Sequence, residues 1–170
     1  KMKVNKPLLE AVFDSVTQAM MTRKRPPLQY NIETKTNPEG DGVFHPKPAE
    51  FVDLLMEVII RKGMTDFVTI QSFDFRTLQY LHEKYPSVKT AMLVEDYDKL
   101  SLNDQLRKLG FTATIYSPHF SLVNAALVKQ CHDKGMKLIP WTVNDKKTIN
   151  ELKALGVDGV ISDYPNLYAE

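Results

Sequence analysis

Glu33 and Lys35 stand two residues apart in YNIETK (30–35), placing a carboxylate and an ammonium on one face of an extended chain, because strand side chains alternate with period 2. A carboxylate is a hard oxygen ligand suited to Mg2+ or Ca2+, and a neighbouring ammonium offsets the charge of a phosphate. The pair therefore points toward phosphate-ester chemistry. It also suits a plain ion pair on the wet face of an antiparallel strand, so the choice rests on what surrounds it. Asn31 shares the face, while Tyr30, Ile32 and Thr34 take the other.

The elements that must position these groups follow a repeated punctuation: an amphipathic helix, a glycine, then a β-branched run. Gly63 precedes FVTIQSF, Gly110 precedes FTATIYS, Gly135 precedes KLIPWTV, and Gly156 precedes GVISD. Glycine just past a helix end adopts the left-handed cap without a Cβ penalty. Apolar residues such as Phe51, Leu54, Leu55, Val58 and Ile59 recur at helical steps. Asp74, Ser121 and Asn144 or Asp145 stand where N-caps are needed. Strands are expected to begin near Tyr30, Phe67, Thr90, Thr112, Lys137 and Gly159, alternating with helices, which predicts a parallel sheet with right-handed crossovers. The absence of any G-x-G-x-x-G favours a closed (β/α)8 barrel over a doubly wound nucleotide binder. In a barrel, Asn31, Glu33 and Lys35 face the lumen and the long segment TNPEGDGVFHPKP (36–48) becomes a loop at the C-terminal face, where active sites are built. Its NPEGDG start imitates a calcium loop, but the twelfth position is Pro48 and the bidentate glutamate is missing.

Composition narrows the partners. Lys and Arg number 22 against 21 Asp and Glu, a net charge of +1, too weak a field to hold a nucleic acid or an anionic membrane. Charged residues break every apolar run, so no transmembrane segment is expected. Cys131, the single cysteine, forms no intrachain disulfide and reads as a small core residue. No apolar signal segment follows KMKVNKP, and a leader upstream of Lys1 would lie outside these residues, so no compartment is assigned.

Further motifs decide between the two meanings of Glu33 and Lys35: QSFD (71–74), WTVN (141–144) and GVDGVISDYP (156–165). With NIETK, in this order and spacing, they resemble the glycerophosphodiester phosphodiesterase family, a metal-dependent (β/α)8 TIM barrel. The resemblance covers the chain from about Lys6 onward. It implies hydrolysis of a small-molecule glycerophosphodiester to an alcohol and glycerol 3-phosphate, with Mg2+ or Ca2+ as cofactor. It implies that Glu33 is a metal carboxylate, that Lys35 contacts the phosphate in catalysis, and that Phe73 and Trp141 form the apolar side of the substrate pocket. His119 in IYSPHF is expected at the rim as a further substrate contact, and His45 in the long loop is the other histidine able to line a pocket. His82 and His132 fall on helices among polar neighbours and are expected in solvent. Asp163 is expected to hold the last turn and the rim.

The family's His-Arg-Gly motif, its E-x-D pair and its second catalytic histidine are not in this sequence. Residues 1–170 are accordingly expected to form one domain, the C-terminal six βα units of the barrel, with two further units upstream carrying those groups. The alternatives are a phospholipase-type phosphodiesterase on the same barrel and a degenerate barrel that binds without catalysis.

Overall fold

The computed structural model describes residues 6–169. Five parallel strands, β1 (Tyr30–Glu33), β2 (Val68–Ser72), β3 (Lys89–Val94), β4 (Ile115–Pro118) and β5 (Lys137–Leu138), pair in sequence order. Between and around them run α1 (Leu9–Thr22), α2 (Pro48–Arg61), α3 (Phe75–Lys84), α4 (Leu102–Leu109), α5 (Ala125–Asp133), α6 (Lys146–Leu155) and the short α7 (Asn166–Ala169). Consecutive order is what repeated right-handed crossovers produce. Among the described residues no helix is long and apolar enough to cross a membrane.

The sheet is an arc of a barrel, and one contact measures its bend. Phe73 follows β2 and Trp141 follows β5, strands separated by three strand spacings, or about 14 Å in a flat sheet. Their ring centroids lie 5.3 Å apart. Side chains stand roughly perpendicular to a sheet, so two rings close that gap only from the concave side of a strongly curled one. The convex side meets the helices. Met92, Tyr116 and Leu138 stand in register across β3, β4 and β5, at most 3% exposed, and pack with Phe13, Met56, Ile59, Leu78, Leu81, Leu109 and Cys131. The concave register holds Glu33, Gln71, Ala91, Ile115 and Lys137. The apolar Tyr30 and Ile32 thus pack against the core while Asn31 and Glu33 turn to the lumen.

Helix starts follow the sequence at Asp74, whose carboxylate accepts from Arg76 N, and at Asp145, which accepts from Thr148 N. Ser121 does not cap a helix. It lies in a 3-10 turn (Phe120–Leu122) where its hydroxyl bonds His119 Nδ1 at 2.7 Å, and Asn124 caps α5 instead, accepting from Leu127 N. The strand expected near Thr112 begins at Ile115.

No regular sixth strand forms at Gly159. The chain still runs beside β5: Asp158 N donates to Leu138 O, Ile161 N to Pro140 O, and Val143 N to Ile161 O. A step of two residues on one side, from Leu138 to Pro140, is matched by a step of three on the other, from Asp158 to Ile161, which is a bulge. Pro140 has no N–H to donate toward the Asp158 side, which accounts for the bulge, while β5 is short on its β4 side because Pro118 has no N–H for Ile139 O, which accepts from Ser117 Oγ instead.

Gly110 and Gly156 end α4 and α6 at φ +87° and +89°. A Cβ on Gly110 would meet nothing within 4 Å, so its cost is the backbone conformation alone. Gly110→Ala is expected to lower stability by about 1–2 kcal/mol, read as a shift of the urea midpoint with the slope unchanged.

Candidate active site

β1 delivers its polar face to the concave side. Asn31 Nδ2 donates to Gln71 Oε1 at 2.6 Å, tying the lumen faces of β1 and β2. One pleat further, Glu33 forms an ion pair with Lys35 at 3.2 Å. The Glu33 side chain is 22% exposed and that of Lys35 is 81% exposed, because Lys35 lies beyond the last strand residue. Lys35 therefore stands in the open mouth and not inside the lumen. An ammonium on a mobile four-carbon stem can there swing from Glu33 to an incoming anion.

Across the mouth lies an aromatic group drawn from three strand ends. Trp141 meets Phe73 edge-on at 5.3 Å and His119 edge-on at 5.3 Å. Trp141 Nε1 donates to Ser117 O at 3.0 Å, fixing the indole with its polar atom satisfied. His119 pairs with Trp141 as an isolated parallel bridge, resuming the β4–β5 register three residues beyond Tyr116–Leu138. Its Nδ1 is engaged by Ser121, and Nε2 has no partner among the described residues. The WTVN and ISDYP motifs meet at the same rim, where Asn144 Nδ2 donates to Asp163 Oδ2 at 2.8 Å and Asp163 N donates to Asn144 Oδ1.

The loop from Thr36 to Lys47 is held by its own hydrogen bonds and by one arginine. Asn37 Oδ1 accepts from Gly40 N, and His45 Nε2 accepts from Asn37 N. A Cβ on Gly40 would fall 2.5 Å from His45 Nε2, so the close approach needs glycine. The Arg76 guanidinium then grips Asp41 through Nη1 (2.6 Å) and Nη2 (3.1 Å), and Asp74 through Nε (2.9 Å) and Nη2 (2.6 Å). Thr36 Oγ1 also donates to Asp74. Burial pushes the Asp74 carboxyl up, but donors from Arg76 and Thr36 and the Arg76 charge outweigh it and hold the group below its ordinary 3.8. The clasp joins the start of α3 to both ends of the turn after Lys35, so the position of Lys35 depends on it. Sequence reading passed over Arg76, although an arginine two residues after a helix N-cap is a visible signal.

The remaining histidines lie away from the mouth or are already engaged. His45 is consumed within its loop. His132 Nε2 pairs with Asp158 at 3.0 Å, and Asp158 also accepts from Leu138 N. His82 is exposed yet not merely solvated, since its ring stacks on Phe111 with centroids 3.9 Å apart. Glu95 was also passed over. It follows Ala91 and Leu93 at steps of two at the end of β3, a count that would have found it. No group of three or more His, Cys, Asp or Glu able to hold a metal occurs among the described residues.

Comparison with known proteins gives a consistent result. Residues 3–167 match the Glycerophosphoryl diester phosphodiesterase family. Over 98 residues, 57% of this chain, the sequence is 36% identical to YhdW of Bacillus subtilis (strain 168), a protein named for glycerophosphodiester phosphodiesterase activity, and spans 40% of its length. The crystal structure of a protein from Silicibacter pomeroyi DSS-3, named for glycerophosphoryl diester phosphodiesterase activity, superposes with TM-score 0.77 and 28% identity, covering 95% of this chain and 54% of that one. An Oleispira antarctica phosphodiesterase in complex with sn-glycerol-3-phosphate superposes with TM-score 0.76 at 20% identity, covering 96% and 60%. The chain thus spans roughly half the length of these relatives.

Acid should release the clasp. Because the folded Asp74 pKa is depressed, its contribution is complete above the ordinary carboxylate pKa and is lost as pH falls through the lower folded value. Below about pH 4, proteolytic cutting and amide exchange within residues 36–47 are expected to rise ahead of global unfolding. Arg76→Leu is expected to show the same loosening at pH 7, with a stability loss of about 1–2 kcal/mol for a partly solvated ion-pair network.

Proposed function

This chain belongs to the glycerophosphoryl diester phosphodiesterase family, and from that premise we propose that its strand-end mouth takes part in hydrolysing a glycerophosphodiester to an alcohol and glycerol 3-phosphate. The observation that carries the reading is that the Glu33–Lys35 pair and the Phe73–Trp141 contact both stand at the C-terminal end of one parallel sheet. A phosphodiester of glycerol has matching parts: an anionic phosphate for an ammonium, and a three-carbon backbone for an aromatic face. The Oleispira antarctica protein, of the same fold, holds sn-glycerol-3-phosphate, a ligand of the size proposed here.

In this reading Lys35 leaves Glu33 to meet the phosphate, and its charge offsets the negative charge that builds as the bond to the alcohol breaks. Phe73 and Trp141 exclude water from the glycerol carbons and orient them. His119, with Nδ1 held by Ser121, offers Nε2 to a substrate oxygen. Glu33 is proposed as a ligand for Mg2+ or Ca2+, which would supply further charge at the phosphate. Such a cation takes six or more oxygens, and the described residues bring no group of three acidic or histidine ligands together, so by themselves they do not build its site. Binding, orientation and charge stabilisation are the parts assigned to these residues; a paired acid and base is not among them.

The reading is tested on the intact protein with glycerophosphocholine, following release of choline and glycerol 3-phosphate. Glu33→Gln keeps the shape and is expected to lower kcat/KM at least ~10-fold, the order seen when a metal site is disturbed. Trp141→Ala is expected to act mainly on KM. Binding of glycerophosphocholine without hydrolysis would instead favour a non-catalytic barrel.

A further inference from the structure

A cavity of about 500 Å3 opens outward from Phe73 between the start of α3 and the loop after β3. Its apolar walls include Phe73, Phe75 and Tyr97, and its charged groups include Glu95, Asp98 and Lys108 beside the Arg76–Asp74 pair. Those charges are unequally committed. Arg76 is spent on Asp74 and Asp41, and Lys108 lies 5.8 Å from the centre of the Phe75 ring. Among the described residues the Asp98 side chain accepts only from the Leu100 backbone. The Glu95 side chain, half-buried at the end of β3, has no hydrogen bond or ion pair among the described residues, and neither has the Tyr97 hydroxyl. Glu95 and Asp98 against Lys108 therefore leave an excess of negative charge around a cavity bordered by Phe73 and Phe75, with the largely exposed Tyr97 at its edge.

We propose that this cavity is the subsite for the alcohol side of the substrate and selects alcohols bearing an ammonium group, with Glu95 supplying the counter-charge and Tyr97 and Phe73 the aromatic faces. The inference rests on the hydrolase reading above and adds its head-group preference. The chemistry favours an organic cation over a metal ion. A hard metal demands several oxygens at short range, whereas an alkylated ammonium is large, weakly hydrated and attracted to ring faces. It disfavours an anionic head group, which would meet Glu95 unpaired. Phe73 belongs both to the mouth and to this cavity, so a phosphodiester at the Phe73–Trp141 wall places its alcohol toward Glu95.

The test compares glycerophosphocholine, glycerophosphoethanolamine and glycerophosphoglycerol on the intact protein. The two ammonium substrates are expected to be preferred, and the preference measured as a ratio of kcat/KM values should fall ~10-fold in Glu95→Gln, about one charge-assisted contact in a partly solvated site. Tyr97→Ala should reduce the choline ratio more than the ethanolamine ratio, because a quaternary ammonium relies on the ring. A ratio near one, or a ratio unchanged in both variants, overturns the proposal. Should no diester be hydrolysed, the hydrolase reading fails by itself, and titration with tetramethylammonium followed by NMR decides the cavity. Shifts at Tyr97 and at residues around Glu95 that vanish in Glu95→Gln, or in Asp98→Asn if the former misfolds, sustain an ammonium site; no shifts there, or shifts that survive, overturn it.

Discussion

The contact between Phe73 and Trp141 joins the ends of two strands with two others between them, and it exists only because the sheet is bent. Bending a parallel sheet requires unequal filling of its two faces. On the convex side Met92, Tyr116 and Leu138 are large and packed under helices, whereas facing positions on the concave side include the small Ala91 and Ser117. The curl aims residues 73, 119 and 141 at one another, although they are far apart in sequence. Everything assigned to the mouth depends on that convergence.

A curled sheet leaves polar groups on its inner face, and each must be answered. On that face Asn31 Nδ2 donates to Gln71 Oε1 and the Trp141 N–H is taken by Ser117 O, while on the helix side the buried hydroxyls of Thr34, Ser72 and Thr77 bond across β1, β2 and α3. No buried side-chain nitrogen or oxygen among the described residues is left without a partner. At the solvent edge of the mouth, His119 Nε2 and the Glu95 carboxylate have no partner among the described residues, and the exposed Lys35 ammonium is held only by Glu33. An unanswered group costs little there and is available to a ligand.

Rigidity is distributed in the same sense. The Arg76 clasp fixes the turn that follows Lys35 by gripping two carboxylates, and the bonds of Asn37 and His45 stiffen the turn from within. The loop is therefore a held structure, and the exposed Lys35 side chain projects at its base. Such an arrangement keeps the entropy cost of binding to the rotamers of that side chain.

Local sequence was enough for the alternation of helix, glycine and strand, for the parallel order, and for the faces of β1, since period-2 and period-3.6 patterns and left-handed glycine caps are properties of the nearest few residues. Family motifs marked Glu33, Lys35, Phe73 and Trp141 as residues to locate. What local pattern did not determine depends on partners distant in the chain. The cap of α5 moved from Ser121 to Asn124 because His119 claims the Ser121 hydroxyl, and the strand at Gly159 became a bulged segment because Pro140 cannot donate to it. Arg76 and Glu95 look like ordinary surface charges until Asp41 closes on one from 35 residues away and nothing among the described residues closes on the other. Charge partners are set by where the sheet carries each loop, and only the folded chain has that geometry.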